Sequence, residues 1–364
     1  MLKSPYFASR QESNVEVIGI DIGFGFTKAT NNRRTLIFKS VFGEATDIPF
    51  RESLSGGQDD YIHIETEDGA LFVGELAERQ SGVRYFTLDH DQFVTRFVKT
   101  LALAALSQLA PRNVPVNLVT GLPVGQFREH RDELTRILQG RHPVTTIDRE
   151  GERRETVISV QKVRVVPQPF GSLFNAMLND KGEATERTLM NEKVGVIDIG
   201  FRTADYTIAN RTNYLARGSR TTDSGISQAF DTIASKLQER SGVDVELYRL
   251  YEGVSKGSIR IRGKSYDLKR LTEQVFGRLA TDVANEANRL WADDWDIDQI
   301  VVSGGGGAVL APYLGPLVHG RLQPIDNSID ARLNNVRGYW KYARHLWDRG
   351  QPTSPSRPED AETA

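Results

Sequence analysis

The chain has 364 residues, 39% of them hydrophobic and 26% charged, and 46 Lys and Arg against 48 Asp and Glu leave a formal charge of -2. This length suits two or three domains or one bilobal body, and the composition excludes a disordered or fibrous chain. With no cysteine there is no disulfide framework, thiolate metal site or cysteine nucleophile, as suits a reducing compartment.

The opening MLKSPYFASRQES lacks a hydrophobic signal region, and no stretch approaches the roughly 18 apolar residues that span a bilayer, so a soluble cytoplasmic protein is expected. Residues 1–14 read as an N-terminal extension. Val15, Val17, Ile18 and Ile20 form a buried-strand run into Asp21, followed by DIGFGFTK with a glycine turn. Residues 44–70 are polar and read as a small peripheral subdomain or flexible insertion. Phe93, Phe97, Leu101 and Ala105 share one face of a helix over 93–110 that packs on a sheet. A strand follows in NVPVNLVTGLPVG, with a turn at Gly121 to Pro123. REHRDELTRILQG is then a polar-faced helix, RETVISVQKVRVVPQ is strand-rich and FGSLFNAML opens another helix.

VIGIDIGFGFTKAT at 17–30 reappears in outline as VGVIDIGFRTADYT at 194–207, a separation of 177 residues. An echo at half the chain length implies two related lobes rather than a solenoid. After it come a helix in SQAFDTIASKLQERSG, a hairpin in GSIRIRGKSYDL, a helix with Val275, Leu279 and Val283 on one face, and the strand DQIVVS leading into glycines 304–307. Strands alternate with helices in both halves, which indicates α/β lobes with mixed sheets. QPTSPSRPEDAETA reads as a disordered tail, residues 351–364.

In the first motif, Gly23 and Gly25 allow backbone N–H groups to approach a phosphate chain that a Cβ would block. Lys28 can neutralise phosphate charge, and Asp21 is placed to hold Mg²⁺ through water. A plain tight β-hairpin is the bland alternative. The second copy, with Asp198, Gly200 and Thr203, would supply a matching hairpin, and the two would clamp one triphosphate. Gly304, Gly305, Gly306 and Gly307 form a third backbone-exposing turn, suited to lie against an adenine or ribose. The six His, spaced at 63, 90, 130, 142, 319 and 345, make no close metal-ligand pattern. Walker A, Rossmann and protein-kinase signatures are absent.

Phosphate loop one, phosphate loop two and an adenosine loop, in this order and spacing, resemble the actin, sugar-kinase and heat-shock-chaperone ATPase superfamily. Within it the chain looks most like the bacterial and archaeal actin-like proteins of the plasmid-segregation (ParM-like) group. The likeness covers roughly residues 15–345 and includes VVPQPFGSLFNAM, VVSGGGGAVLAPYL and NNVRGYWKYA. It implies an α/β, actin-like, two-lobed fold built from duplicated ribonuclease-H-like domains, with a nucleotide cleft between lobes. The lobes would span 15–185, joined by a returning 325–350, and 186–324.

The resemblance further implies an ATPase using ATP, or GTP, with Mg²⁺. Phosphate would be bound by Gly23, Phe24, Gly25, Phe26, Thr27 and Lys28 and by Gly200, Phe201, Arg202 and Thr203. The nucleoside would meet Gly304 to Gly307. Asp21 and Asp198 would orient hydrated Mg²⁺, and Gln168 would position the hydrolytic water; the alternative for Gln168 is a helix cap. Asp205 is either the acid that the family often carries there or a surface strand charge. Phe24 stands where actins carry a small hydroxyl residue, and Phe24 and Phe201 are expected to pack symmetrically beneath the two hairpins. Arg202 either touches phosphate or faces solvent.

As a partner the resemblance implies the protein itself, in a head-to-tail filament, with a DNA-binding adaptor as the link to cargo and no direct sequence-specific nucleic-acid contact. Arg260, Arg262, Lys264, Lys269 and Arg270 make 258–270 locally basic, either a solvated face or a contact for an acidic neighbour. A small-molecule kinase and a non-catalytic nucleotide-binding scaffold are the rival readings. A chaperone fails on length, since 57 of the 364 residues follow position 307.

Overall fold

Each half of the chain builds a sheet on one plan in the computed structural model, which describes residues 15–47, 61–85, 96–245, 247–323 and 330–347. The expected N-terminal extension and tail, and Phe93, lie outside these residues. The first half contains β1 (Glu16–Ile22), β2 (Phe26–Thr30), β3 (Thr35–Lys39), β4 (Phe42–Glu44), β5 (Ile62–Thr66), β6 (Gly69–Val73), helix α1 (Glu75–Gln80) and β7 (Arg84–Tyr85). It continues through α2 (Val98–Leu109), β8 (Val116–Leu122), α3 (Val124–Leu138), β9 (Gly140–Ile147) and β10 (Arg153–Pro167). Helices α4 (Pro169–Met177) and α5 (Arg187–Asn191) lead to β11 (Lys193–Ile199), β12 (Ala204–Asn210), β13 (Asn213–Thr222), α6 (Ser227–Ser241) and α7 (Leu247–Lys256). Then come β14 (Ser258–Ile261), β15 (Lys264–Asp267), α8 (Lys269–Leu290), β16 (Gln299–Ser303), α9 (Gly304–Leu314), β17 (Arg321–Leu322), a 3₁₀ turn (Ala331–Leu333) and α10 (Asn334–Trp347).

The first sheet begins β3-β2-β1-β8-β10, and the second is β13-β12-β11-β16-β17. In both, the first motif strand pairs antiparallel with its hairpin partner and parallel with the strand on its other side. The sequence echo is therefore a duplicated sheet. Central strands covered on both faces are mostly apolar: β1 is buried from Val17 to Ile22 and β8 along its whole length, with Asp21, Asn117 and Thr120 as buried polar exceptions. Helix α2 is buried nearly all round, with Leu101 to Leu106 enclosed, and lies against β1, β2 and β9.

Three local expectations change. Residues 61–73 do not stand apart: β5 and β6 extend the first sheet through β9 and β4. Gly121 lies inside β8 rather than in a turn, and it is glycine for close packing, since a Cβ there would fall 1.9 Å from Tyr339 Oη. The glycine run 304–307 is no loop but the first turn of α9, entered from Ser303.

Helix α10 fastens the molecule through backbone contact. A Cβ on Gly19 would meet Val336 O at 2.5 Å, and one on Gly338 would meet Gly171 O at 1.7 Å. These glycines let α10 sink between β1, β8 and α4, where Tyr339 and Ala343 are fully buried. On its other side α4 turns Phe170, Leu173 and Met177 into a core shared with Val194, Val196 and Val301 of the second sheet. The obstacle at Gly338 is backbone, which cannot rotate away. Gly338→Ala should therefore destabilise the fold by about 3 kcal/mol or more, read as a shift of the denaturant midpoint; a change below about 0.5 kcal/mol would contradict this packing.

Candidate functional site

A cleft of ≈ 660 Å³ opens where the two sheets face each other. Its floor is the carboxyl end of β1 and β11, where each strand delivers a buried aspartate. Asp21 accepts from Lys28 Nζ at 3.0 Å and from Gln168 Nε2 at 2.9 Å. Asp198 accepts from Asn335 Nδ2 at 2.6 Å, and Asn335 Oδ1 in turn accepts from Ser172 Oγ at 2.6 Å. Burial, reinforced by the charge of Asp21, raises the Asp198 carboxyl above the usual aspartate range, although the Asn335 bond opposes the shift.

Most of the predicted residues converge here. Asp21, Gly23, Phe24, Gly25, Phe26, Lys28, Gln168, Asp198, Gly200, Phe201, Arg202, Thr203, Gly304, Gly305 and Gly306 all line the cleft. Thr27 and Gly307 do not. Strand alternation turns Thr27 to the opposite face from Phe26 and Lys28, and its hydroxyl meets Ser40 Oγ at 2.9 Å. Gly307 faces β16, where a Cβ would sit 3.0 Å from Val302 Cγ1.

The first-turn N–H groups of α9 have no intrahelical partner, which makes this helix start a site for negative charge. Gly304 has φ +80°, and a Cβ there would lie 2.2 Å from Ile199 O, so only glycine brings the helix this close to β11. Beyond the glycines the cleft wall is apolar, formed by Ile226, Phe230, Val254, Phe276, Val309 and Tyr313. That end can hold a flat ring.

Each phenylalanine packs on the core of its own half, Phe24 buried in the first and Phe201 half-buried against the second; Phe201 also lies beside the other hairpin, where a Cβ on Gly25 would sit 3.1 Å from it. Arg202 lines the cleft and also pairs with Asp223 at 3.3 Å. Gln168 stands at the start of α4 without a side-chain cap bond; its amide is directed to Asp21 instead.

Asp205 is not a surface charge, being 2% exposed. It is the register partner of Asp198, as Lys28 is of Asp21. One of its oxygens accepts from the backbone N–H of Val124 at 2.8 Å and from Thr221 Oγ1 at 2.5 Å. Thr221 Oγ1 accepts from the Gly125 N–H at 2.7 Å. Helix α3 begins at Pro123 without a side-chain cap from its own terminus; the second sheet supplies it. Burial foremost, with a contribution from Asp198, pushes the Asp205 carboxyl up to about 7.

Asn335, Thr221 and Arg332 escape sequence reasoning. Arg332 lies over the Phe26 ring at 5.1 Å and pairs with Asp330. Each depends on a neighbour more than 90 residues away or on the returning segment; Asn335 falls within NNVRGYWKYA, but nothing in that stretch singles it out. Among the described residues no group of three or more His, Asp or Glu side chains could hold a metal ion, and no helix is long and apolar enough to cross a membrane.

Residues 19–171 match the family described as actin-like proteins, N-terminal domain, and residues 196–315 match the archaeal actin homologue MreB-like C-terminal domain. The 15-stranded ParM filament from Clostridium botulinum is 26% identical, with a TM-score of 0.73 over 91% of this chain and 99% of that one. The archaeal actin homologue Ta0583 in complex with ADP shares the fold at 19% identity, with a TM-score of 0.74 over 92% of this chain and 100% of that one. So does Bacillus thuringiensis ParM with AMPPNP, at 19% identity and a TM-score of 0.69 over 92% and 99%. No curated protein matches the sequence significantly.

Because the folded Asp205 carboxyl takes up its proton near pH 7, the fold holds more protons than the unfolded chain between about pH 4 and that value. Stability should fall as pH rises through this window. Asp205→Asn keeps an oxygen for the Val124 N–H and should flatten the profile, measured as denaturation midpoints from pH 5 to pH 8; an unchanged slope would remove Asp205 as its source.

Proposed function

The chain belongs to the actin-like proteins, with ParM and archaeal actin homologues as structural relatives, and on that footing we propose that it is a filament-forming ATPase. It binds ATP with Mg²⁺ between its lobes, hydrolyses it, and assembles head to tail in the cytoplasm to segregate plasmid DNA or position intracellular cargo through a DNA-binding adaptor. The observation that carries this reading is the convergence of two glycine hairpins and the start of α9 on one cleft floored by Asp21 and Asp198. Related proteins bound to ADP and AMPPNP, and one in filament form, support it.

The donor set fits Mg²⁺. Two buried carboxylates point into the cleft, and the raised Asp198 carboxyl gains from a nearby cation. With so few protein donors, the ion would keep several waters and take phosphate oxygens as its remaining partners. When bound, it supplies charge neutralisation at the phosphates.

This chain's own groups do the rest. Backbone N–H groups around Gly23, Gly25 and Gly200 bind phosphate oxygens, and Lys28 offsets their charge. Gln168 donates through Nε2 to Asp21, which sets its amide and leaves Oε1 to accept from a water facing the terminal phosphate. An amide is a poor base, so its work is orientation. The first turn of α9 faces the nucleoside, and the apolar wall from Phe230 to Tyr313 covers the base.

Gln168→Ala should slow phosphate release at least about tenfold while nucleotide affinity changes only a few fold; unchanged turnover would remove the assigned role. Asp198→Asn should raise the thermal midpoint of the nucleotide-free protein, because a neutral amide is cheaper to bury, and should abolish the extra stabilisation that Mg²⁺ adds to ATP. Both are read by thermal unfolding with and without Mg²⁺. Light scattering and electron microscopy with Mg-ATP test assembly itself.

A further inference from the structure

The second lobe carries two surface features that nucleotide binding leaves unused. Trp295 is 89% exposed, well above any other exposed large hydrophobic side chain among the described residues. Its turn, between α8 and β16, is firmly held. Trp291, Asp294 and Ile297 are buried on either side of it. The Asp294 carboxylate receives Arg217 at 2.6 and 2.5 Å and Lys193 at 2.8 Å. Asp294 N donates to Trp291 O at 2.8 Å, and Ile297 N donates to Asp294 O at 3.0 Å. Anchors at 291, 294 and 297 thus hold an indole out in water, against the hydrophobic effect. Asp293, Asp296 and Asp298 surround it, all exposed, with Asp296 paired to Lys193.

At the other end of α8 lies the β14–β15 hairpin, which turns through Arg262 at φ 48° and Gly263 at φ 83°. Arg260, Arg262, Lys264, Lys269 and Arg270 are exposed there, five cations against the acids Asp267 and, near the start of α8, Glu273. The hairpin immediately precedes α8 and the Trp295 turn immediately follows it, so the patches stand apart by the 22-residue helix, about 33 Å at 1.5 Å per residue.

We propose that the Trp295 turn of one copy seats on the β14–β15 hairpin of the next, forming the longitudinal contact of the filament. The inference rests on the filament reading above. Complementary charge on one chain favours a second copy as the occupant: aspartates face arginines, and a guanidinium can lie over the indole. Patches at opposite ends of a lobe make a heterologous contact, which propagates as an open filament when the rotation between copies does not close a ring. A central Trp ringed by polar groups is also the usual composition of an interface hot spot.

The test is pelleting with Mg-ATP, Mg-GTP and AMPPNP. Trp295→Ala should raise the critical concentration about tenfold or more, with its nucleotide-induced thermal shift intact. The double variants Asp293→Arg with Asp298→Arg, and Arg260→Glu with Arg262→Glu, should each fail to pellet, yet pellet when mixed, because the reversed faces complement each other. A Trp295→Ala protein that assembles like wild type, or a mixture as inert as either component, overturns the interface while leaving the filament reading in place. Wild-type protein that never pellets removes the filament reading itself.

Discussion

Two carboxylates buried at the seam of two sheets are the constraint around which this molecule is arranged. A buried charge must be paired or hydrogen-bonded, and here the partners come from distant parts of the chain. Asp21 is met by Lys28 from its own hairpin and by Gln168 from the start of α4. Asp198 is met by Asn335, which arrives only with the last helix. Satisfying these two groups therefore requires the first sheet, the second sheet and the returning helix to be in place together.

The duplication is exact in plan and divergent in charge. Position 28 in the first hairpin and position 205 in the second occupy the same register. A lysine opposite Asp21 forms an ion pair. An aspartate opposite Asp198 cannot, since like charges across a ladder repel, and Asp205 finds its partner in the backbone of α3 instead. The divergence thus converts a local pair into a tie between the two halves, with a titration near neutrality as its electrostatic cost.

Close backbone approach gives the arrangement its rigidity. Gly19 and Gly171 admit α10 against β1 and α4, and Gly304 admits α9 against β11. Tight packing of this kind transmits displacement rather than absorbing it. On the filament reading proposed above, a ligand touching both hairpins would bear on the angle between lobes, and the ends of the second lobe, 22 residues of α8 apart, are where a neighbour would feel it.

Much was legible in the sequence. The repeated Asp-Ile-Gly-Phe marked the duplication, buried-strand runs located β1, β8, β11 and β16, and the family resemblance pointed to Gln168, which lines the cleft. Short or mixed elements were not legible: β9 and β13 lack clear periodicity, and Thr27 looked like its neighbours until strand alternation turned it inward. Local pattern determined which segments become strands and helices and which glycines must approach a neighbour, because backbone sterics and side-chain period act over a few residues. Only the tertiary structure decided that Asn335 serves Asp198, that Asp205 caps α3 and that Trp295 stays in water. Those outcomes depend on burial and on partners 81 and 137 residues away, and no local rule carries that information.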